Sequence, residues 1–220
     1  RPFMFASEAF LGVRAAHHVT YSLIASPAGA YFASGVKPVS IWITTQYSRA
    51  GAGGTGAAKC GGNYASSLVA QEEAARQGCA QVLFADAGSH QFVEELGGMN
   101  IWFLQDGQLI TPALTGSILE GVTRSSIITI AGEQGLRPVE RQVGMAELRE
   151  GILDGSITEV FACGTAAVIT PIGRFRHESG EDLVVADGEV GEHTMALRQR
   201  LLDLQYGRVE DAHGWLTRVC

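Results

Sequence analysis

Residues 56–64, with the sequence GAAKCGGNY, are the stretch from which the fold can be inferred. Lys59 stands there among small residues and is followed by the Gly61-Gly62 pair and Tyr64. Small neighbours let a flat, bulky molecule approach the backbone closely. A lysine amine confined in a packed, poorly hydrated place becomes a nucleophile, and Schiff-base formation with a carbonyl compound is its common use. The stretch therefore predicts either such a nucleophile, with the glycines forming a bend, or a solvated surface charge in a loop.

The glycine run before Lys59 suggests a second interpretation. Residues 51–56, GAGGTG, fit the GxGxxG pattern of dinucleotide-binding proteins, which requires a strand ending at the first glycine and a helix beginning at the last. Polar residues 44–49 separate the predicted strand from this run, and Gly61-Gly62 would interrupt the helix. A dinucleotide site is therefore disfavoured. A P-loop is excluded, because no Gly-Lys-Ser/Thr follows the glycines.

Length, charge and cysteine spacing narrow the class of protein. A chain of 220 residues with 46% hydrophobic residues can bury one sizeable core. Its formal charge of −7 provides no electrostatic footprint for nucleic acid or an anionic membrane, and no apolar run approaches the roughly 20 residues of a membrane span. The start of the chain shows no signal-peptide pattern. The four cysteines are widely spaced without a CxxC pair, so we expect no metal site and reduced thiols, as in a cytoplasmic protein.

Hydrophobic periodicity predicts strands and helices that alternate along the chain. The predicted strands are residues 18–25, 39–45, 82–85, 91–95, 100–104, 109–110, 139–143, 159–162 and 167–170, and the predicted helices are residues 64–77, 123–134, 145–151 and 193–206. Asp106-Gly107 is a strong hairpin signal between two of the strands. Because no repeat and no low-complexity linker interrupts the pattern, it indicates a single domain of mixed α/β type over residues 1–220.

Four segments of the chain resemble, in the same order, those of branched-chain aminotransferases, which are pyridoxal-phosphate enzymes of fold type IV. The segments are residues 58–64 (AKCGGNY), 94–101 (EELGGMNI), 119–124 (LEGVTR) and 164–171 (GTAAVITP). Arg1-Pro2 resembles the end of a further family segment, and the match runs on to Gly214-Trp215-Leu216, so the similarity covers essentially the whole chain. The resemblance implies a mixed α/β (α+β) fold, namely the large domain of the D-amino-acid aminotransferase-like enzymes, and pyridoxal 5'-phosphate as cofactor.

The resemblance gives Lys59 and Tyr64 their roles. Lys59 would hold the cofactor aldehyde covalently, and its freed amine would then move the Cα proton of the substrate as general base and acid. Tyr64 would bond the phenolic oxygen of the cofactor. Without the resemblance, Tyr64 is better interpreted as a half-buried aromatic residue at the start of a helix.

Glu95 is the residue that the resemblance pairs with the pyridine nitrogen of the cofactor. A carboxylate keeps that nitrogen protonated, and the protonated ring then accepts electrons from the reacting carbon. Strand alternation sends Glu94 and Glu95 to opposite faces, so only one can face the cofactor, and the family pattern selects Glu95. The alternative for Glu95 is an ordinary exposed acid at the end of a strand.

Two further segments are predicted to bind anions. Residues 121–123 fit a helix N-terminus, where the N–H groups of Val122 and Thr123 bind phosphate, although Thr123 as a simple N-cap is the alternative. Residues 164–166 fit a tight turn between strands. The resemblance implies that Thr165 there helps to hold phosphate, that Thr165 and Ala166 meet the substrate carboxylate, and that Arg1 lines the substrate side.

The chain starts at Arg1-Pro2, without a methionine and inside an apolar run. The resemblance implies a smaller domain before this point, so we expect a C-terminal large domain whose N-terminal small domain, with the family's phosphate-binding arginine, lies outside this chain. The resemblance implies a homodimer that moves the amino group of leucine, isoleucine or valine to 2-oxoglutarate. The alternatives are another fold type IV enzyme (D-amino-acid aminotransferase or aminodeoxychorismate lyase), a non-catalytic fragment, or an unrelated NAD-binding protein.

Overall fold

The computed structural model describes residues 1–27, 29 and 35–219. The chain divides into two compact units, Arg1–Ala33 and Ser34–Cys220. In the first unit, strand β1 (Pro2–Ala6) pairs in antiparallel fashion with β2 (Val19–Leu23), and Arg1 is exposed at the start of β1. All the other predicted site residues belong to the second unit. A single domain over residues 1–220 stays a prediction.

The second unit is built on a nine-stranded sheet. Its strands are β3 (Val39–Thr44), β4 (Gln81–Ala85), β5 (Val93–Leu96), β6 (Asn100–Gln105), β7 (Gln108–Pro112), β8 (Arg137–Arg141), β9 (Ile157–Gly164), β10 (Val168–His177) and β11 (Asp182–Val184). The order is β5-β4-β3-β10-β9-β6-β7-β8, and β11 pairs with β10. The pairs β3–β4, β3–β10 and β7–β8 are parallel, and the other pairs are antiparallel. The mixed α/β fold is therefore confirmed.

Strand β10 joins the two halves of this sheet. Its first residues pair with β9, and its later residues pair with β3 and β11. The sequence predicted only residues 167–170 of it, because Pro171 and Gly173 break the apolar alternation. The hairpin between β6 and β7 is confirmed: Asp106 and Gly107 have φ of 50° and 71°, the positive values that a type I′ turn requires.

In the part of the second unit that the structure describes, four α-helices pack on the sheet, together with a short 3-10 helix, Ala186–Gly188. They are α1 (Gly61–Arg76), α2 (Val122–Glu133), α3 (Met145–Asp154) and α4 (Glu192–Gln205). Residues of α2 and α4 share one apolar cluster with β6 and β9, and α3 packs into a second cluster. Helix α1 covers Val82 and Phe84 of β4. None of the described helices combines the length and apolar character needed to cross a bilayer.

The start of α1 corrects two expectations. Gly61 and Gly62 are the first two residues of the helix rather than a bend, with Cys60 as the extended N-cap. The glycine penalty, a loss of backbone conformational freedom, applies to the interior of a helix rather than to its first positions. The glycines therefore do not interrupt a helix. The dinucleotide pattern is still unmet, since β3 ends at Thr44, well before Gly51, and α1 begins after Gly56.

The buried face of α1 also differs from the predicted one. The sequence pattern over residues 64–77 predicts an amphipathic helix in which Leu68, Gln71, Glu72, Ala75 and Arg76 give one face to the core and one to water, but Leu68 is 63% exposed. The buried residues are instead Asn63, Ser67, Ala70 and Ala74. These small side chains let the helix lie close to the sheet, so packing distance rather than hydrophobicity selects the buried face.

Candidate active site

A cavity of about 250 Å³ opens where several loops of the second unit meet. Five predicted site residues line it: Lys59, Glu95, Val122, Thr123 and Thr165. The remaining lining residues are Gly98, Met99, Asn100, Leu119, Glu120, Gly121, Cys163 and Gly164. Tyr64 and Ala166 are outside this lining, and Arg1 belongs to the first unit.

The loop that carries Lys59 is closed by Asn63. The buried amide of Asn63 donates hydrogen bonds to the carbonyl oxygens of Thr55 and Ala58, at 2.7 and 3.0 Å. The Thr55 hydroxyl donates to the Asn63 side-chain oxygen at 2.7 Å. These three bonds span the segment just before the lysine, so they fix its backbone at the start of α1.

The Lys59 side chain itself is exposed, so the expectation of a packed, poorly hydrated lysine is wrong for this structure. The lysine is preceded by two small residues, Ala57 and Ala58. Their side chains would let a ligand approach, but they are too small to cover the Lys59 side chain. Tyr64 is half-buried in the first turn of α1, and its ring centroid lies 5.5 Å from the Lys59 Nζ. The pair is thus close in space, although only the lysine lines the cavity.

Glu95 forms the acidic wall of the cavity and is 2% exposed. Its Oε1 accepts the N–H of Leu119 at 2.9 Å and lies 2.6 Å from Nη1 of Arg49. Its Oε2 is 3.5 Å from the Asn100 amide nitrogen. Burial raises the pKa of the Glu95 carboxyl to about 7, against the opposing effects of Arg49 and the Leu119 N–H. The alternative of an exposed acid at the end of a strand is therefore wrong.

Glu94 and Glu95 point to different surroundings, as strand alternation predicts. Glu94 accepts a short hydrogen bond from the Ser117 hydroxyl and does not line the cavity. Glu94 is nevertheless buried, with 8% of its surface exposed, and this burial raises the pKa of its carboxyl as well. Two adjacent buried acids therefore share this end of β5, and only Glu95 faces the cavity.

Helix α2 points its N-terminus at the cavity, since Val122 and Thr123 are its first two residues. The N-cap is Gly121, in extended conformation, so the alternative of Thr123 as the N-cap is wrong. The first turn of a helix offers N–H groups without intrahelical partners and the positive end of its dipole, which suits an anion. The buried Arg124 holds this end of α2 by donating to the Pro112 carbonyl oxygen at 3.0 Å.

Thr165 enters the cavity from the turn between β9 and β10. Gly164 pairs with Val168, which closes a three-residue loop containing Thr165 and the exposed Ala166. Val168 has φ of 62°, a left-handed value that β-branched residues rarely adopt. The predicted tight turn is confirmed, and its strained valine was not foreseen.

Sequence reasoning missed the residues that support the cavity from behind, above all Arg49 and Ser117. Arg49 lies in the polar segment that was considered only as a spacer between β3 and the glycines. The one available signal was chemical: a buried acid such as Glu95 needs a cation near it. Asn100, in contrast, already lay inside one of the four recognised segments.

Comparison with known families identifies the family to which the chain belongs. The family model described as "Amino-transferase class IV" matches residues 3–175, which include every predicted site residue except Arg1. The chain belongs to the amino-transferase class IV family. The resemblance found in the four sequence segments is thereby confirmed, and so is the fold expected of this class IV chain.

Individual relatives agree with this assignment. The class IV chain is 53% identical to the branched-chain-amino-acid aminotransferase of Mycobacterium tuberculosis (strain ATCC 25618 / H37Rv), in an alignment that covers 100% of the chain and 60% of the relative. It is 44% identical to branched-chain-amino-acid aminotransferase 2 of Bacillus subtilis, with the same coverages. A crystal structure of an Escherichia coli branched-chain amino acid aminotransferase superposes with a TM-score of 0.81 at 30% identity, covering 100% of the chain and 69% of that structure. The chain thus spans about 60% of the length of the curated relatives it matches.

Proposed function

We propose that the protein is a pyridoxal-phosphate-dependent transaminase of branched-chain amino acids. One observation carries the proposal: an amine (Lys59), a buried acid (Glu95) and the N-terminus of α2 surround the same cavity. This donor set fits the cofactor, which needs a nucleophile for its aldehyde, a carboxylate for its ring nitrogen and N–H donors for its phosphate. When bound, pyridoxal phosphate supplies an electron sink for the carbon that loses its proton.

Lys59 would hold the cofactor through its Nζ and, once free, carry the substrate proton. Its exposure at the cavity mouth leaves the amine accessible, and the hydrogen bonds of Asn63 hold the backbone from which it projects. The Tyr64 ring centroid lies 5.5 Å from Nζ, and Tyr64 would donate to the cofactor's phenolic oxygen. Lys59 is therefore the residue proposed to act as general base and acid.

Glu95, the α2 N-terminus and the β9–β10 turn would orient the cofactor. Glu95 offers a carboxylate oxygen on the cavity wall, and Val122, Thr123 and Thr165, which line the same cavity, would hold the phosphate. Glu120 also lines the cavity, and its negative charge disfavours an anion there. N–H donors of the helix therefore have to outweigh that charge for phosphate to bind.

Substrate binding belongs to the same proposal. Thr165 and Ala166 would meet the carboxylate of an amino acid or 2-oxo acid, and Arg1 would line the substrate side. Leucine, isoleucine and valine are the proposed amino donors and 2-oxoglutarate the acceptor, because curated relatives with 53% and 44% identity are named branched-chain aminotransferases. The proposal also includes a homodimer, a cytoplasmic location and a single cofactor-binding large domain over residues 1–220.

Borohydride reduction in the presence of pyridoxal phosphate tests the proposal. We expect a reduced pyridoxyl label on Lys59 and none on Lys37, the other lysine of the chain. Amino transfer to 2-oxoglutarate is then measured with L-leucine and with D-alanine as donors. A label on Lys37 alone would contradict the site. Label on Lys59 with transfer only from D-alanine would point instead to a D-amino-acid aminotransferase.

A further inference from the structure

Arg49 is a buried cation that contacts Glu95 without lining the cavity itself. The side chains of Arg49 and Glu95 are 2% and 3% exposed, and Nη1 lies 2.6 Å from Oε1. Arg49 belongs to the segment between β3 and the lysine loop, which we define as residues 55–60, whereas Glu95 lies in β5. The ion pair therefore joins β5 to the segment that leads into the lysine loop.

The other donors of Arg49 extend this connection to a third segment. Nη1 donates to the Ser117 carbonyl oxygen at 2.9 Å, and both terminal nitrogens lie 3.4 Å from the Gly56 carbonyl oxygen. The carbonyl oxygen of Arg49 in turn accepts the Ser66 hydroxyl of α1 at 3.0 Å. One guanidinium thus contacts the lysine loop, the segment that leads into α2 and the acid of β5.

These contacts also decide which oxygen of Glu95 is available. Oε1 is held by Arg49 and by the Leu119 N–H, whereas Oε2 receives the long, 3.5 Å approach of the Asn100 amide nitrogen. A carboxylate with one oxygen held from behind can rotate little. Its second oxygen is the one left to accept a hydrogen bond from a ligand in the cavity.

We propose that Arg49 is the positioning residue of this site: it aims Oε2 of Glu95 at the pyridine nitrogen of pyridoxal phosphate and sets the distance between Glu95 and the Lys59 loop. The proposal rests on the proposed function. The planar guanidinium suits the task, because its donors form a rigid fork that a lysine ammonium cannot reproduce.

Stability alone gives a weaker account of the pair. A buried ion pair is often no more stabilising than apolar residues of the same volume. Glu94 adds a second buried acid beside the first, so the pair sits in a costly place. Only Glu95 of this costly pair lines the cavity, and it does so together with Lys59. A ligand that binds Glu95 in the cavity accounts for a cation placed directly behind this acid.

The test compares Arg49→Met and Arg49→Lys in the full chain. Arg141→Lys is the matched control, since Arg141 pairs with Glu147 away from the cavity. Each protein is loaded with pyridoxal phosphate carrying nitrogen-15 in its ring, and the nitrogen chemical shift reports whether the ring is protonated. Borohydride labelling of Lys59 and cofactor affinity are measured on the same samples.

We expect Arg49→Met to retain the label on Lys59, to shift the ring nitrogen toward the unprotonated form and to bind cofactor about tenfold or more weakly. Arg49→Lys should fall between Arg49→Met and the parent, and Arg141→Lys should match the parent. Parent-like nitrogen shifts and affinity in both Arg49 variants would overturn the proposal. If Arg49→Met does not fold, Arg49→Lys decides by the same two measurements. A parent protein that is never labelled on Lys59 refutes the proposed function itself, which is a separate result.

Discussion

Replacing Gly56 by alanine should damage the site through the backbone rather than through chemistry. A Cβ at Gly56 would lie 2.2 Å from the Ser117 carbonyl oxygen and 2.5 Å from the Ser117 carbonyl carbon and Cα. Backbone atoms cannot rotate away as a flexible side chain can. The substitution therefore has to separate the lysine loop from the segment that leads into α2, which Arg49 otherwise joins.

The loss of folding stability caused by Gly56→Ala can be bounded from this geometry. Ordinary van der Waals contact of a Cβ begins near 3.4 Å, so the overlap at Gly56 exceeds what small adjustments relieve. Overpacking a buried position costs about 1–3 kcal/mol, and we place this one at the upper end because both sides are backbone. For a chain of this length, about 3 kcal/mol lowers the melting temperature by about 6–12 °C.

Thermal unfolding followed by circular dichroism measures this shift. Gly61→Ala is the matched control: it flanks Lys59 on the other side, has no atom within 4 Å of the added Cβ, and lies in the first turn of α1. Alanine there should leave stability unchanged or raise it by up to about 1 kcal/mol. A Gly56→Ala melting temperature within a degree or so of the parent would refute the close-packing argument, as would equal losses in the two variants.

Three further predictions concern titratable groups. Glu95→Gln should lower kcat for transamination by several powers of ten, where each factor of ten corresponds to about 1.4 kcal/mol of activation barrier. Glu94→Gln should lower kcat by much less. Equal losses in steady-state assays would contradict the assignment of the two acids to different faces of the strand. Because burial raises the pKa of Glu95 from 4.5 to about 7, its proton favours the folded chain, so the stabilisation present below about pH 4.5 is lost as pH rises to about 7. The free energy of unfolding in urea should therefore fall by up to about 3 kcal/mol over that window, and a Glu95→Gln protein with an unchanged slope would contradict the shift. Hydrogen bonds from backbone N–H groups of the first turn of α1 lower the pKa of the Cys60 thiol, whereas burial raises the pKa of the Cys163 thiol to about 12. Mass spectrometry after iodoacetamide treatment should therefore find Cys60 modified before Cys163, and the reverse order would exclude this reasoning.

Local patterns in the sequence predicted the parts of the fold that depend on near neighbours. The Asp106-Gly107 turn, the four helices and the mixed α/β class follow from periodicity and turn chemistry, and all agree with the structure. The predictions that failed needed knowledge of the third dimension. Leu68 fits an amphipathic pattern but is exposed, because only small side chains fit between α1 and the sheet.

The residues of the candidate site also fall into those that the sequence predicted and those that only the structure shows. Four short segments, read from the sequence by themselves, identified Lys59, Glu95, Val122, Thr123 and Thr165, and family membership followed from their order. Only the tertiary structure shows that Arg49 contacts both Glu95 and the carbonyl oxygen of Ser117, which lies 68 residues further along the chain. The physical reason is that motifs record the residues that meet a ligand, whereas the residues behind them are brought together by strand order and helix packing, which no local spacing encodes.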